Sequence, residues 1–427
     1  MKMSIHPLTV AFGLAMAAVT AVAQTPANAR KPPVLIGFDG AYGQKTNTAP
    51  IAIELGAKAA IDEINRAGGV LGGRPLQLVT TDNKGVSARG KDNFIELAGM
   101  KDMVAVFGGK YSPVSVEVLP EAHRLKVPLI SVWGSADLIT DHNHRPSYSF
   151  RVSLKDDWGV EAMMRRLATS YKVSQACAFL PNTAWGRSAD AVIKSKAARH
   201  KINFGVVRWY NWGDTSFAEA YRSCLDNQGQ GLMFVGNEKE ASILLKEMAA
   251  MPAQQRLPVV AHWGTVGGVL HQMVGDALGQ VSFDVIQTFT FIHNQRPRAR
   301  TLAQWIHANS PYKTADAIPS PVGAAHAYDA VHLVALAVER ARRVREIVQA
   351  CAEAGVPYLS LFAFSTENWK RPEEEVSSLM GLFRTYLERE VSSMNENGVR
   401  LRVLGDTSRF AEPLQALIRQ AESQTAA

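Results

Sequence analysis

AKAAIDEINRAGGVLGGRPLQL, residues 57–78, is read as the end of a helix spanning 49–67, a glycine-rich turn, and the start of a strand at 76–81. The same unit recurs on both sides. A strand at 33–38 precedes it. A helix at 87–100 and strands at 103–107, 127–132, 176–180, 204–209, 231–235 and 259–261 follow, separated by amphipathic segments. Short apolar strands alternating with helices predict parallel sheets with right-handed crossovers, hence an α/β architecture over residues 33–290. The strand ends open into Gly, Ser and aromatic residues, where ligands bind to such sheets.

With 427 residues the chain is long enough for two or three domain cores, and its 47% hydrophobic content is that of an ordinary water-soluble protein. A net charge of +7 and a pI near 9.2 come from basic residues scattered along the chain, apart from short runs at 296–300 and 342–345. They are read as solvated surface, not as a nucleic-acid footprint. The N-terminus has Lys2, an apolar stretch from Leu8 to Val22 and the small-x-small pattern Ala21, Val22, Ala23 before Gln24, so residues 1–23 are expected to be a cleaved signal peptide. No other segment is expected to cross a bilayer. Three cysteines cannot all pair, and none has metal-ligand spacing. Cys177 and Cys224 could bridge in an oxidising compartment, while Cys351 reads as a buried thiol. No cofactor or metal is expected.

Residues 57–78 resemble the first helix and second strand of the periplasmic solute-binding proteins of ABC importers, in the branched-chain amino-acid-binding family. Further segments match in order: FGGKYSPVSVEVL at 107–119, VPLISVWGSADLIT at 127–140, YSFRV at 148–152, NTAWGR at 182–187 and DTSF at 214–217. The resemblance covers about residues 33–340. It implies two Rossmann-like lobes of a type I periplasmic binding protein, lobe crossings near 150 and 284, no catalysis, and capture of a small-molecule solute for an inner-membrane ABC permease.

The candidate site follows from the residues. Ser112 and Ser115 lie where a helix begins after the strand at 103–107, so their hydroxyls and the backbone N–H groups can receive a carboxylate. The competing reading is that Ser112 simply caps that helix. Gly134 and Ser135 match family positions that complete the carboxylate grip. Trp185 stands where the family has a tyrosine, Asn237 lies in a loop that often carries another, and His262 or Trp263 takes the place of a glutamate that would hold an α-ammonium group. No carboxylate is expected there for an amine. A pocket with Trp133, Trp185 and Trp263 would favour a flat or apolar ligand, leaving amino acids, amides and aromatic or short organic acids open.

Near Ala341 the character of the chain changes. Residues 324–354 contain no Gly or Pro, and Val331, Val334, Val338, Ile347 and Cys351 recur at helical spacing, which predicts a helix far longer than the average of about 11–12 residues. Beyond it, residues 345–355, 358–372, 375–382 and 399–410 resemble the cis-prenyltransferases, the undecaprenyl diphosphate synthases, most specifically through FAFSTENWKRP. Ser365, Asn368, Trp369 and Arg371 stand at family positions near the allylic diphosphate and catalytic loop. The match to residues 342–427 implies an incomplete α/β fragment of that fold, with a buried strand at 358–364. The family's DGNGRWA segment, with its essential Asp, is missing; Asp39 and Gly40 in FDGAYG imitate only its start. The segment that holds isopentenyl diphosphate would follow Ala427. Three readings therefore compete: a solute-binding protein with an inactive tail, an enzyme of the prenyltransferase class, and a fused reading frame without a single function.

Overall fold

The computed structural model describes residues 31–353, 364, 366–371, 373–396 and 398–425. The expected signal peptide, Ser365, all of the strand expected at 358–364 but Phe364, and the side chains of Ile347 and Cys351 lie outside the described residues.

The first lobe is built from β1 (Val34–Gly40), α1 (Ala49–Arg66), β2 (Leu76–Asp82), α2 (Ser87–Ala98), β3 (Met103–Gly108), α3 (Ser112–Leu125), β4 (Leu129–Ser131) and β5 (Ser149–Arg151). Its strands pair in parallel, in the order β2-β1-β3-β4-β5. After β5 the chain passes into the second lobe: α4 (Asp156–Ser170), β6 (Gln175–Pro181), α5 (Ala184–Lys196), β7 (Asn203–Tyr210), α6 (Ala218–Asp226), β8 (Gly231–Phe234), α7 (Glu238–Ala249), β9 (Val259–Ala261), α8 (Leu270–Val274) and β10 (Phe283–Val285). That sheet runs β10-β9-β8-β6-β7, also all parallel. Read from the other edge, this is the order of the first sheet, so the lobes are topological copies.

Strand composition explains the placement. The central strands β1, β6 and β8 are apolar on both faces and almost wholly buried, as parallel strands covered by helices on both sides must be. At the edge, β7 buries only Val206 and Tyr210 and exposes Asn203, Gly205, Arg208 and Trp209. Each sheet has an apolar cluster on each face, and one of the first lobe's clusters includes residues of α9 (Pro297–Asn309) and α10 (Pro321–Glu353), by which the chain returns from the second lobe. Cys177 in β6 and Cys224 in α6 are joined by a disulfide within the second lobe's core, with Cα atoms 6.0 Å apart.

Helix α10 passes through Ala341 unbroken over 33 residues. Against the expectation from sequence, part of it, Pro321–Arg342, is long and apolar enough to cross a membrane by length and composition. Its apolar face is used internally: 61% of an 18-residue stretch within it is buried, and the helix lies so close to α1 that a Cβ on Gly56 would stand 1.9 Å from Ala324 O.

Beyond α10 the described residues form a short turn of helix (Thr366–Lys370), α11 (Glu373–Glu396) and α12 (Glu412–Gln424). The two long helices share a small core of Leu387, Val391, Leu414, Ile418 and Ala421. This unit rests on the first lobe. Arg389 donates to Lys126 O at 3.4 Å and to the Tyr148 hydroxyl at 3.3 Å, and Gly381 lies against Pro146.

Candidate functional site

In a sheet of order 2-1-3-4-5, the strand carboxyl ends beside the switch in strand order form a crevice. Every candidate residue of the binding region sits at such an end. Ser112 and Ser115 follow β3, Gly134 and Ser135 follow β4, Trp185 follows β6, Asn237 follows β8, and His262 and Trp263 follow β9. The two crevices face each other and are closed together. Trp263 Nε1 donates to Trp133 O at 3.4 Å, Asp137 N to Ser188 Oγ at 3.0 Å and Thr48 N to Gly267 O at 3.0 Å, while Asn47 and Gly268 form an antiparallel bridge. Tyr111 of the first lobe stacks at a tilt on Trp212 of the second, ring centres 5.2 Å apart.

Ser112 does not cap its helix. Tyr111 holds the N-cap position with no side-chain cap bond, and the Ser112 hydroxyl instead accepts from the backbone N–H groups of Ser135 and Ala136, at 3.1 and 3.2 Å. It thereby ties the β3 turn to the β4 turn, a contact 23 residues away in sequence that local spacing cannot show. Ser115 Oγ, in the next turn of α3, is buried with no hydrogen-bond partner. Gly134 stands against Ser112: a Cβ there would lie 3.4 Å from Ser112 Oγ.

On the opposing lobe, Gly186 makes the turn after β6 possible, because a Cβ there would come within 1.9 Å of Pro181 O. That turn delivers Trp185, which is 6% exposed and lies edge-on to His262 with ring centres 4.9 Å apart. Its Nε1 and the neighbouring Thr183 Oγ1 are buried donors without partners. Asn237 and Trp185 both close on Gly264, at 3.2 and 2.6 Å from where its Cβ would be. Trp133 and Trp263 belong to the core cluster that includes the first sheet, whereas Trp185 belongs to a cluster of the second lobe. The structure therefore brings the predicted residues of both lobes to one closed cleft, and divides the three tryptophans between two cores.

Sequence reading missed four buried charges, Lys110, Glu238, Asp156 and Glu240. Lys110 and Glu238 pair across the cleft with side chains 1% and 3% exposed. So the basic residues are not all solvated surface: Lys110 lies two residues before Ser112 and is buried. Asp156, the first residue of α4, is wholly buried, and its Oδ1 lies 3.2 Å from His262 Nε2 without the alignment of a hydrogen bond. The cleft thus does contain carboxylates, with Glu238 and Asp156 each opposite a protein nitrogen. The only sequence signal for Glu238 was its position next to Asn237 at the end of β8.

Asp39, the imitation of a catalytic aspartate, is tied down by Thr81 at 2.8 Å and by Asn83 and Asn93 at 2.7 Å each. Burial pushes its pKa up, against the pull of these donors. Its place at the end of β1 makes it part of the first lobe's framework.

His326 on α10 pins the returning chain. Its Nδ1 bonds to Val132 O at 3.0 Å and its Nε2 to Thr288 Oγ1 at 2.9 Å, an arrangement that suits the neutral ring, with Nδ1–H donating and Nε2 accepting. Burial pushes its pKa down to about 4 from 6.5, outweighing the opposing effect of the Val132 bond. As pH falls the unfolded chain therefore takes up this proton first, so the stability tied to neutral His326 is complete above about pH 6.5 and is lost progressively towards pH 4. Between pH 7 and 4.5 the loss from this group should be about 2 to 3 kcal/mol. Urea titrations at the two pH values should show it, and His326→Asn should flatten that part of the pH dependence.

In the tail, Trp369 is half-buried between Phe364 and Phe410, ring centres 5.1 and 5.9 Å away, with the Arg409 guanidinium 4.4 Å over its ring. Arg371 N donates to Asn368 O at 3.2 Å, closing the short helical turn that carries Asn368 and ends at Lys370.

Two parallel sheets of identical order, closed on each other at their carboxyl ends, define a two-lobed binding fold. The family model described as periplasmic binding protein matches residues 33–376, and the chain belongs to that family. A second family model, putative undecaprenyl diphosphate synthase, matches residues 338–427 and overlaps the first. Among solved structures, the chain is similar to a branched-chain amino acid transporter substrate-binding protein from Streptococcus pneumoniae in complex with isoleucine, with a TM-score of 0.61 and 22% identity, covering 72% of this chain and 84% of that one. It is also similar to a solute-binding protein of an ABC transporter from R. palustris in complex with benzoate, with a TM-score of 0.62 and 17% identity, covering 73% and 81%. These likenesses show the fold. The tail is 58% identical over 83 residues to a ditrans,polycis-undecaprenyl-diphosphate synthase of Pseudomonas aeruginosa and 59% identical over 83 residues to an isoprenyl transferase of Ralstonia nicotianae. The match covers 19% of this chain, which spans about a third of the length of these relatives.

Proposed function

We propose that the chain is exported to the periplasm, captures a small carboxylate-bearing solute between its two lobes, and presents it to an inner-membrane ABC permease. The observation that carries this reading is the closed cleft with buried polar atoms lacking partners, Trp185 Nε1, Thr183 Oγ1 and Ser115 Oγ, on both of its walls. Such groups are costly to leave unpaired, and a solute held there satisfies them. The start of α3 sets the positive end of the helix at the cleft, although Pro113 has no N–H and those of Val114 and Ser115 bond to Tyr111 O. Two of the similar solved proteins hold carboxylates, isoleucine and benzoate, which agrees with this ligand class.

A thermal-shift screen of amino acids, amides and aromatic and aliphatic acids should find a stabilising solute. At a hundred times its Kd a ligand stabilises the folded state by about 2.7 kcal/mol, a shift of roughly 3 °C for a chain of this size. Trp185→Ala and Ser112→Ala should each weaken binding about tenfold or more, since each removes a buried polar contact or the support of one. Arg296→Ala, on the exposed surface, should change binding little. Equal effects from all three would remove this site assignment.

The segment after Ala341 does not elongate prenyl chains on this reading. Chain elongation brings two diphosphates together, and such charge demands a metal and several cations held in place. Asn368, Trp369 and Arg371 would form at most one side of such a site, and residues 342–427 hold no match to the family's DGNGRWA segment with its essential Asp. Purified protein given isopentenyl diphosphate, farnesyl diphosphate and Mg²⁺ should form no longer product. Metal-dependent elongation abolished by Asn368→Ala would place the chain among the enzymes.

A further inference from the structure

We infer that Lys110 supplies from within the protein the positive charge that Glu238 would otherwise take from a ligand, so that the cleft selects carboxylic acids lacking an amino group over amino acids. The inference rests on the solute-binding reading above and narrows its ligand class.

Glu238 is the buried carboxylate at the mouth of the second lobe's crevice, and both of its oxygens are engaged by first-lobe side chains. Oε2 meets the Lys110 ammonium, and Oε1 accepts from Thr46 Oγ1 at 3.2 Å. Lys110 Nζ is held in turn by Gly267 O at 3.4 Å. This ammonium lies beside Trp133, one of the candidate residues: a Cβ on Gly267 would stand 2.7 Å from Lys110 Nζ and 3.1 Å from Trp133 Cζ2. A ligand ammonium brought to Glu238 would have to displace Lys110 or sit beside it. Two like charges that close, both out of water, repel strongly.

The other buried carboxylates beside this pair, Asp156 and Glu240, do not offer a better place. Asp156 faces His262 Nε2 at 3.2 Å, and His262 Nδ1 accepts from Gly264 N at 3.3 Å, which leaves the ring proton on Nε2. Asp156, whose oxygens make no hydrogen bond, begins α4, where the positive end of the helix offsets its charge, and lies in the field of the Arg151 guanidinium, while burial pushes the Glu240 carboxyl up towards its neutral form. Lys110 and Glu238 are neutral as a pair, so Glu238 has no charge left over for a ligand ammonium.

The test is calorimetric titration of the full chain with matched pairs that differ by one amino group: 4-methylpentanoate against leucine, and 3-phenylpropanoate against phenylalanine. Wild type should bind the acid of at least one pair tenfold or more tighter than its amino acid. Lys110→Met, which frees Glu238, should erase or reverse that ratio, and Lys110→Arg should keep it. Lys110→Gln, which still donates to Glu238, should move the ratio in the same direction and serves if the Met variant does not fold. Wild-type preference for leucine or phenylalanine, or an unchanged ratio in the neutral variants, overturns the inference while leaving solute capture standing. Failure of both classes to bind wild type in this and the wider screen removes the solute-binding reading, and the inference with it.

Discussion

Gly56→Val should yield little or no folded protein. Helices α1 and α10 cross at this glycine, where an added Cβ would meet Ala324 O at 1.9 Å and Ala324 Cα at 2.8 Å. Both are backbone atoms inside a helix, so no side chain can turn aside, and the helices must separate. Separation opens the cluster that holds Ile53, Ala57, Val331 and Tyr328. Overpacking by itself costs typically 1–3 kcal/mol, and loss of the contacts around it adds to that, against a total stability of about 5–15 kcal/mol. Soluble yield and the thermal midpoint by circular dichroism measure the effect. Gly279→Ala, at a position with nothing within 4 Å, is the control and should behave as wild type. A Gly56→Val protein as stable as the control would mean that α1 and α10 do not pack as described.

Removing the disulfide should have the next largest effect. Cys177 and Cys224 are 47 residues apart in sequence, and closing a loop of that length in the unfolded chain is worth ~4 kcal/mol in the chain-entropy account. The pair lies inside an apolar cluster with Phe179, Leu232 and Tyr221, so Cys177→Ala with Cys224→Ala also removes packed sulfur. Urea unfolding should show the double variant destabilised by about that amount, and a reductant should destabilise wild type but not the variant. Equal stability with and without reductant would show that the thiols are not joined. Such a bond also suits an oxidising compartment, in keeping with export.

Much of the fold was legible because parallel strands buried on both faces write themselves as short apolar runs. Strands β1, β2, β3, β6, β7, β8 and β9 fall within two residues of the expected limits at each end, with β4 the central part of a longer expectation. The edge strands β5 and β10 have three residues each, too few to show a period, and were visible only as places where the chain crosses between lobes. The predicted site residues gathered at one cleft because strand ends converge in this topology, whatever the side chains there. What the side chains do was less legible. Ser112 bonds to amides brought close by the fold alone, and Lys110 and Glu238 meet across 128 residues. Charge scattered along a sequence reads as surface, since burial of an ion pair depends on two lobes closing over it.

Tryptophan fluorescence tests the central claim most directly, because Trp133, Trp185 and Trp263 surround the closed cleft. Purified protein, stripped of bound solute by unfolding and refolding, is titrated with benzoate, 4-methylpentanoate and leucine while circular dichroism reports the fold. The account predicts a saturable change at one solute per chain for a carboxylate ligand, diminished in both amplitude and affinity by Trp185→Ala. A folded protein whose fluorescence responds to no carboxylate across the screen, or responds equally in the Trp185→Ala variant, would contradict it.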